Sequence, residues 1–230
     1  MSMLKKVFYK LRGWWQKDEL YDSFRKIRGG KWVIGYDDWK RLERIVTQYR
    51  PKHILDLGTG IGGSVTCITK VARGGAIIHT VEQSEKCIRI AKELIPKEFQ
   101  NQITFHHSDI EIIEFSKIPF RHFIQYKNLP RGDWDLIVID GPWLKFENEK
   151  LIDLPASDIL SLFSELKTGC LIYLDNRREL RVLMERHFYS YLDMLEKDDR
   201  FIFWKRNSKP FSDLDDALFE KIKAYGYFDR

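Results

Sequence analysis

The chain has 230 residues, 43% of them hydrophobic, and a formal net charge of +5. That apolar content buries one full core without a split into two large domains, and a charge this small, with acids and bases interleaved, does not by itself argue for nucleic-acid binding. Cys67, Cys87 and Cys170 stand far apart with no C-x-x-C, the pattern of reduced core thiols in a cytoplasmic protein rather than of a disulfide or zinc framework; no apolar run reaches the roughly 18 residues of a membrane span, and the N-terminus lacks the continuous apolar core of a signal peptide.

Residues 1–50 read as a helical extension. Leu4, Val7, Phe8 and Leu11 recur at the spacing of one helix face, with Lys5, Lys6, Lys10 and Arg12 around them and Trp14-Trp15 following. A second helix is predicted over Glu19–Ile27, stopped by Gly29-Gly30. A third covers Asp38–Gln48, its start marked by Asp37 and Asp38 and its buried stripe by Leu42, Ile45 and Val46. From Pro51 onward short apolar runs alternate with helical patterns, which predicts an α/β chain with a doubly wound, mostly parallel sheet. The predicted strands are His53–Leu57, Ala76–Glu82, Ile103–His107, Leu136–Asp140 and Cys170–Asp175. Helices are predicted at Gly63–Val71, Ser84–Leu94, a short Ile110–Phe115, and Ser157–Leu166, with Ser84 and Ser157 as N-caps. After a helix at Arg177–Phe188, the runs Tyr189–Leu195 and Arg200–Lys205 flank a polar turn and predict a hairpin that adds an antiparallel strand. A last helix falls near Asp213–Ala224. The chain thus divides into a helical extension (1–50, a substrate cover or interface), a ligand-binding α/β domain (51–207) and a C-terminal helix (208–230).

The run Ile54-Leu55-Asp56-Leu57-Gly58-Thr59-Gly60-Ile61-Gly62-Gly63-Ser64 carries the strongest signal. An apolar strand drops into a glycine-dense turn that opens a helix, and glycine lets such a turn come close to a ligand. Gly58, Gly60 and Gly63 also satisfy the dinucleotide fingerprint, so the turn alone leaves a nicotinamide cofactor open. Asp56, two residues before the first glycine, suits a ligand with a cationic amino group and would repel a pyrophosphate. In an open parallel sheet ligands bind beyond the strands' carboxyl ends, so the polar residues there are the candidates. Glu82, with Gln83 beside it, lies about twenty residues after the glycines, where an acid accepts hydrogen bonds from ribose hydroxyls. Ser108-Asp109-Ile110 offers a carboxylate and an apolar side chain to an adenine. Ile139-Asp140-Gly141-Pro142 and Leu174-Asp175-Asn176 end the next two strands. Each acid also has the plainer reading of a helix N-cap. His106 and His107, adjacent on a strand, face opposite sides and cannot both enter one site.

Asp56-Leu57-Gly58-Thr59-Gly60, Glu82, Asp109 and Asp140 together resemble the motifs of the class I S-adenosylmethionine-dependent methyltransferases, over residues 51–207. The resemblance implies a Rossmann-like seven-stranded sheet with one antiparallel strand. It implies S-adenosylmethionine held by Asp56, Gly58, Thr59, Gly60, Ser64, Glu82, Gln83, Asp109, Ile110 and Asp140, with Asp140 facing the transferred methyl. A narrower similarity is to the metal-dependent catechol and caffeoyl-CoA O-methyltransferases. On that pattern Asp140, Asp175 and Asn176 would hold Mg²⁺ through hard oxygen ligands, and Lys145 would serve as the base. Lys145 lies farther from Asp140 than the corresponding lysine does in those enzymes, and Gly141-Pro142 replaces the usual residues. The Ile-Asp-Gly-Pro strand end is also similar to methyltransferases of polysaccharide and natural-product pathways.

The expected activity is therefore O-methylation of a small-molecule or glycan hydroxyl, with or without a divalent metal. An NAD(P)-dependent oxidoreductase would leave Asp56, Asp109 and Asp175-Asn176 unused, and no Tyr-x-x-x-Lys pair follows the fourth strand. The other alternative is a non-catalytic S-adenosylmethionine-binding module. Nucleic-acid methylation lacks an Asn/Asp-Pro-Pro-Tyr-type motif. The basic amphipathic segment Met1–Lys17 reads as a lid over the crevice, a contact with a second subunit in a homodimer, or a peripheral contact with anionic lipid.

Overall fold

A computed structural model of the chain describes residues 18–27, 30, 33–72, 75–114, 122–142, 154–175 and 177–211. The amphipathic segment Leu4–Leu11 with Trp14-Trp15, the candidate base Lys145, Asn176 and the helix expected near Asp213–Ala224 all lie outside the described residues.

Helices α1 (Glu19–Lys26) and α2 (Tyr36–Tyr49) lead into β1 (His53–Leu57), and the glycine turn opens α3 (Gly63–Ala72). There follow β2 (Ile77–Glu82), α4 (Glu85–Leu94), α5 (Lys97–Gln100) and β3 (Ile103–His107). A two-stranded hairpin, β4 (Ile110–Glu114) and β5 (His122–Tyr126), precedes β6 (Leu136–Ile139), α6 (Asp158–Leu162) and β7 (Leu171–Asp175). Then come α7 (Arg178–His187) and the pair β8 (Leu192–Lys197) and β9 (Phe201–Arg206).

Seven strands form one sheet in the order β3-β2-β1-β6-β7-β9-β8. All run parallel except β9, which is antiparallel to both β7 and β8. The near-continuous apolar strands follow from burial on both faces. Leu55 and Leu57 point into one core layer with the side chains of β5, α6 and α7; Ile54 points into the other with α1, α2, α3 and α4. The described part of residues 18–50 is thus core, through Tyr21, Phe24, Trp39 and Leu42. Buried Asp18 fastens it there: it caps α1 at Tyr21 N and accepts from Trp39 Nε1 (3.2 Å) and from Lys70 on α3 (2.8 Å). The lysine contacts hold its carboxyl down at about 2 despite burial.

Two expectations fail. Ile110–Phe115 is not a helix: Ile110 to Glu114 pair residue for residue with Tyr126 to His122, and Phe123, Ile124 and Tyr126 drive this hairpin into the core. The pairing partner lies beyond a local window, and tertiary packing overrides local preference. Ser157 makes no capping bond to α6; its hydroxyl goes to Ile124 O instead. Ser84 does cap α4, accepting from Cys87 N. The hairpin's first strand also starts late, because Tyr189–Tyr191 winds into a 3₁₀ turn. The three cysteines are unpaired, and no described helix is long and apolar enough to cross a membrane.

Candidate active site

The order β2-β1-β6 places the topological switch point at β1, where the chain crosses from one side of the sheet to the other and opens a crevice at the carboxyl edge. The turn after β1 sits in it. Gly58 N and Thr59 N both donate to Val81 O (3.0 and 3.1 Å), which pins the turn to β2. Thr59 Oγ1 lies 2.5 Å from Thr80 Oγ1, which in turn donates to Asp56 Oδ2 at 2.7 Å. Because Thr80 spends its single hydroxyl proton on the Asp56 carboxylate, Thr59 is the donor to Thr80. Asp56 therefore lies fully buried within β1, beneath the turn rather than on the open crevice. Burial pushes its carboxyl up to about 7, with the Thr80 and Ser64 hydroxyls offsetting part of that. Its Oδ1 lacks a hydrogen-bond partner among the described residues.

Two glycine positions show what the backbone requires. A Cβ on Gly58, at φ +108°, would lie 2.6 Å from Gly141 N, so the turns after β1 and β6 pass in direct backbone contact. Gly60, at φ +51°, is the opposite: a Cβ there would meet nothing within 4 Å. Its amide donates to Glu82 Oε2 (2.9 Å), and Ser84 N donates to Glu82 Oε1 (2.9 Å). The Gln83 backbone amide bonds the same carboxylate, which leaves about one of its roughly four lone-pair sites for a ligand hydroxyl. Burial raises the Glu82 pKa, the backbone amides opposing it.

Beyond Glu82 a cleft of about 430 Å³ is lined by Gln83, Ser84, His107, Asp109, Ile110 and Lys127, among others. Asp109 is exposed, with Lys127 Nζ 4.0 Å away. No helix follows it, since β4 begins at the next residue, so the N-cap reading of Asp109 falls. His106 and His107 do face opposite ways: His106 meets His79 (2.9 Å), while His107 lines the cleft and reaches Gln83 O (3.1 Å). The glycine turn, Glu82 and this cleft thus follow one another along the carboxyl edge of β1, β2 and β3.

On the other side of β1, Asp140 N still donates to Leu57 O (2.8 Å), which carries the β1–β6 pairing to the strand end. Its carboxyl is pushed well up, first by burial and then by Asp175 at the end of β7, with Arg177 opposing. Arg177 is buried and clamps the turn, donating through Nη1 to Pro142 O (3.0 Å) and through Nη2 to Asp140 O. Tyr126, also buried, brings its hydroxyl to within 2.6 Å of where a Gly141 Cβ would sit. Sequence reading missed both residues: Tyr126 stands on the unanticipated β5, and nothing in Asn176-Arg177-Arg178 marks one arginine as buried. The β-branched and aromatic run Phe123-Ile124 with Tyr126 was the available signal for the strand. Two neighbouring carboxylates suit a hard divalent ion; among the described residues no three His, Cys, Asp or Glu side chains converge to hold one, and Asn176, the third ligand expected, lies outside them. The Arg177 guanidinium stands near the same strand end. The cap position of α7 is Arg177, whose side chain makes no capping bond.

No protein-family model matches the chain, and no curated protein matches it in sequence. Solved structures do match in fold. A methyltransferase from Geobacter sulfurreducens superposes with a TM-score of 0.61 at 12% identity, covering 88% of this chain and 97% of that one. The O-methyltransferase from Bacillus cereus in complex with SAH gives 0.54 at 18% identity, covering 84% and 93%. The O-methyltransferase TomG from Streptomyces achromogenes, involved in tomaymycin synthesis and solved with SAM, gives 0.56 at 13% identity, covering 84% and 92%. With its strand order, its single antiparallel strand and these likenesses, the chain has the fold of the class I S-adenosylmethionine-dependent methyltransferases.

Proposed function

We propose that the protein transfers a methyl group from S-adenosylmethionine to a hydroxyl of a small molecule or glycan. The observation that carries this reading is the open side of Gly60 next to Glu82: the turn leaves space where any side chain would stand, and the Glu82 carboxylate borders it. Asp56 holds the turn from beneath through Thr80 and Thr59. Glu82 and Gln83 meet the ribose; Asp109, Ile110 and Lys127 border the adenine; Ser64 and Gly58 shape the turn.

S-adenosylmethionine, when bound, supplies a methyl already activated by its sulfonium. The acceptor oxygen bonds to the methyl carbon as the carbon–sulfur bond breaks, the electron pair staying on sulfur and the hydroxyl proton leaving to a base. Catalysis then rests on in-line orientation and on that base. We assign that base to Asp140, at the end of β6, whose carboxyl burial and Asp175 push up, so that it takes a proton more readily than an ordinary aspartate. Arg177 fixes the turn that presents it. Incubation of the full chain with methyl-labelled S-adenosylmethionine and a panel of hydroxylated acceptors tests the reading; label transferred to an oxygen supports it, and transfer only to nitrogen or carbon acceptors overturns the O-methylation assignment. A divalent ion at Asp140, Asp175 and Asn176 is the competing account of how the acceptor loses its proton, and chelation separates the two.

A further inference from the structure

A second cleft opens on the same edge of the sheet, on the acceptor side. It measures about 340 Å³ and is walled by the end of β7 (Leu174, Asp175), the first turns of α7 and the start of β9. It lies there because β9 is antiparallel: Phe201, its first residue, pairs with Asp175, the last of β7, so the β8–β9 turn folds over the carboxyl edge. Four guanidinium groups border this space, those of Arg177, Arg178, Arg181 and Arg200, against three carboxylates, Asp175, Glu185 and Asp199.

They are not equivalent. Arg181 is committed, donating to Asp198 O (2.8 Å) and lying 3.7 Å from Glu185. Arg177 clamps the Asp140 turn. Arg178 and Arg200 are exposed, and neither side chain is given a partner among the described residues; Arg200 takes part only through its backbone amide, which bonds Asp198. Of the three acids, Glu185 pairs with Arg181 and Lys197, Asp199 lies beside Arg200 in the β8–β9 turn, and Asp175 stands at the strand end that acts on Asp140. The floor is thus acidic and joins the proposed base, while the walls carry two guanidinium forks with unused donors. Guanidinium matches carboxylate and phosphate in geometry and is weakly hydrated, so it binds such oxyanions readily.

Resting on the methyltransferase reading above, we infer that this cleft takes the acceptor, and that the acceptor carries an oxyanion, a phosphate or a carboxylate, held by Arg178 and Arg200 while its hydroxyl reaches Asp140. A neutral acceptor would leave both guanidinium groups idle; an anionic one is oriented by them with its hydroxyl toward the acid floor.

The test uses the full chain, ¹⁵N-labelled and saturated with S-adenosylhomocysteine, titrated at low salt with inorganic phosphate and, separately, with acetate. The backbone amides of Val182 and Phe201 are followed in wild type and in an Arg178→Ala/Arg200→Ala double variant; both side chains are exposed, so the variant keeps its fold. The expected result is a saturable shift with at least one anion, tenfold or more weaker in the variant and weakened by added salt, with S-adenosylhomocysteine affinity unchanged. Whichever anion binds tighter identifies phosphate or carboxylate as the group recognised. Absence of any saturable shift, or equal affinity in the variant, overturns the inference. Failure of S-adenosylhomocysteine to bind wild type would instead overturn the methyltransferase reading, and anion binding that still followed the arginines would leave the oxyanion site standing by itself.

Discussion

A side chain at Gly60 and a side chain at Gly58 have opposite consequences, although the two glycines are two residues apart. At Gly60, φ is +51° and a Cβ would touch nothing within 4 Å. Gly60→Val therefore costs only the left-handed backbone, about 1–2 kcal/mol, which lowers the melting temperature of a chain this size by roughly 2–8 °C. The valine would stand in the space assigned to the ligand, so S-adenosylhomocysteine affinity should fall by about 100-fold, roughly 2.8 kcal/mol, or more. At Gly58, the same backbone penalty is joined by contacts of 2.6 Å to Gly141 N and 2.8 Å to Asp140 C, backbone atoms with nowhere to go. Gly58→Ala should add about 1–3 kcal/mol of overpacking and lose stability even without ligand. Thermal unfolding and calorimetric titration of S-adenosylhomocysteine on both variants give the four numbers needed. A folded Gly60→Val protein that binds as tightly as wild type would refute the placement of the ligand over the turn. A Gly58→Ala protein of wild-type stability would refute the contact between the two turns.

Other outcomes follow from the same geometry. Glu82→Gln keeps one acceptor oxygen but sets an amide N–H₂ where a backbone amide now donates, so S-adenosylhomocysteine affinity should fall tenfold or more with little change in unfolding. In wild type, affinity should fall on acidification at a pH above the ordinary glutamate range, because burial raises the Glu82 pKa; a flat affinity from pH 7 to 4.5 would contradict this. Asp140→Asn should cut kcat by at least 100-fold with cofactor affinity retained, and turnover by wild type should persist in excess EDTA, whereas loss restored by Mg²⁺ would move proton removal to a metal at Asp140, Asp175 and Asn176. Asp18 has its folded pKa lowered to about 2, so its contribution is complete above the ordinary carboxylate range and is lost as pH falls toward that value. It amounts to roughly 1–2 kcal/mol after discounting the partly exposed lysines; in Asp18→Asn, urea unfolding between pH 5 and 2 should lose that part of its slope.

What was legible in the sequence was local. β1 and β3 have the ends that their apolar runs and polar flanks marked, His53–Leu57 and Ile103–His107. The glycine turn announces itself because glycine holds φ values such as the +108° of Gly58, which side chains resist. The β4–β5 hairpin was not legible, since Ile110–Glu114 is five residues long and becomes a strand only through a partner beyond residue 121. Asp56 shows the same limit in another form. The sequence marks an acid at the strand end, and only the fold shows it turned beneath the glycines toward Thr80. Arg177 acquires its place from β7 pairing with β6, and Tyr126 from the β4–β5 hairpin packing into the core, a juxtaposition that no spacing encodes.

What occupies the crevice at β1 decides what the protein does. Calorimetric titration of the purified full chain with S-adenosylhomocysteine and, separately, with NAD is the direct measurement. Saturable binding of S-adenosylhomocysteine at one site per chain, with no heat from NAD, is the result predicted. Saturable NAD binding with a silent S-adenosylhomocysteine titration would contradict it and return the glycine turn to a dinucleotide.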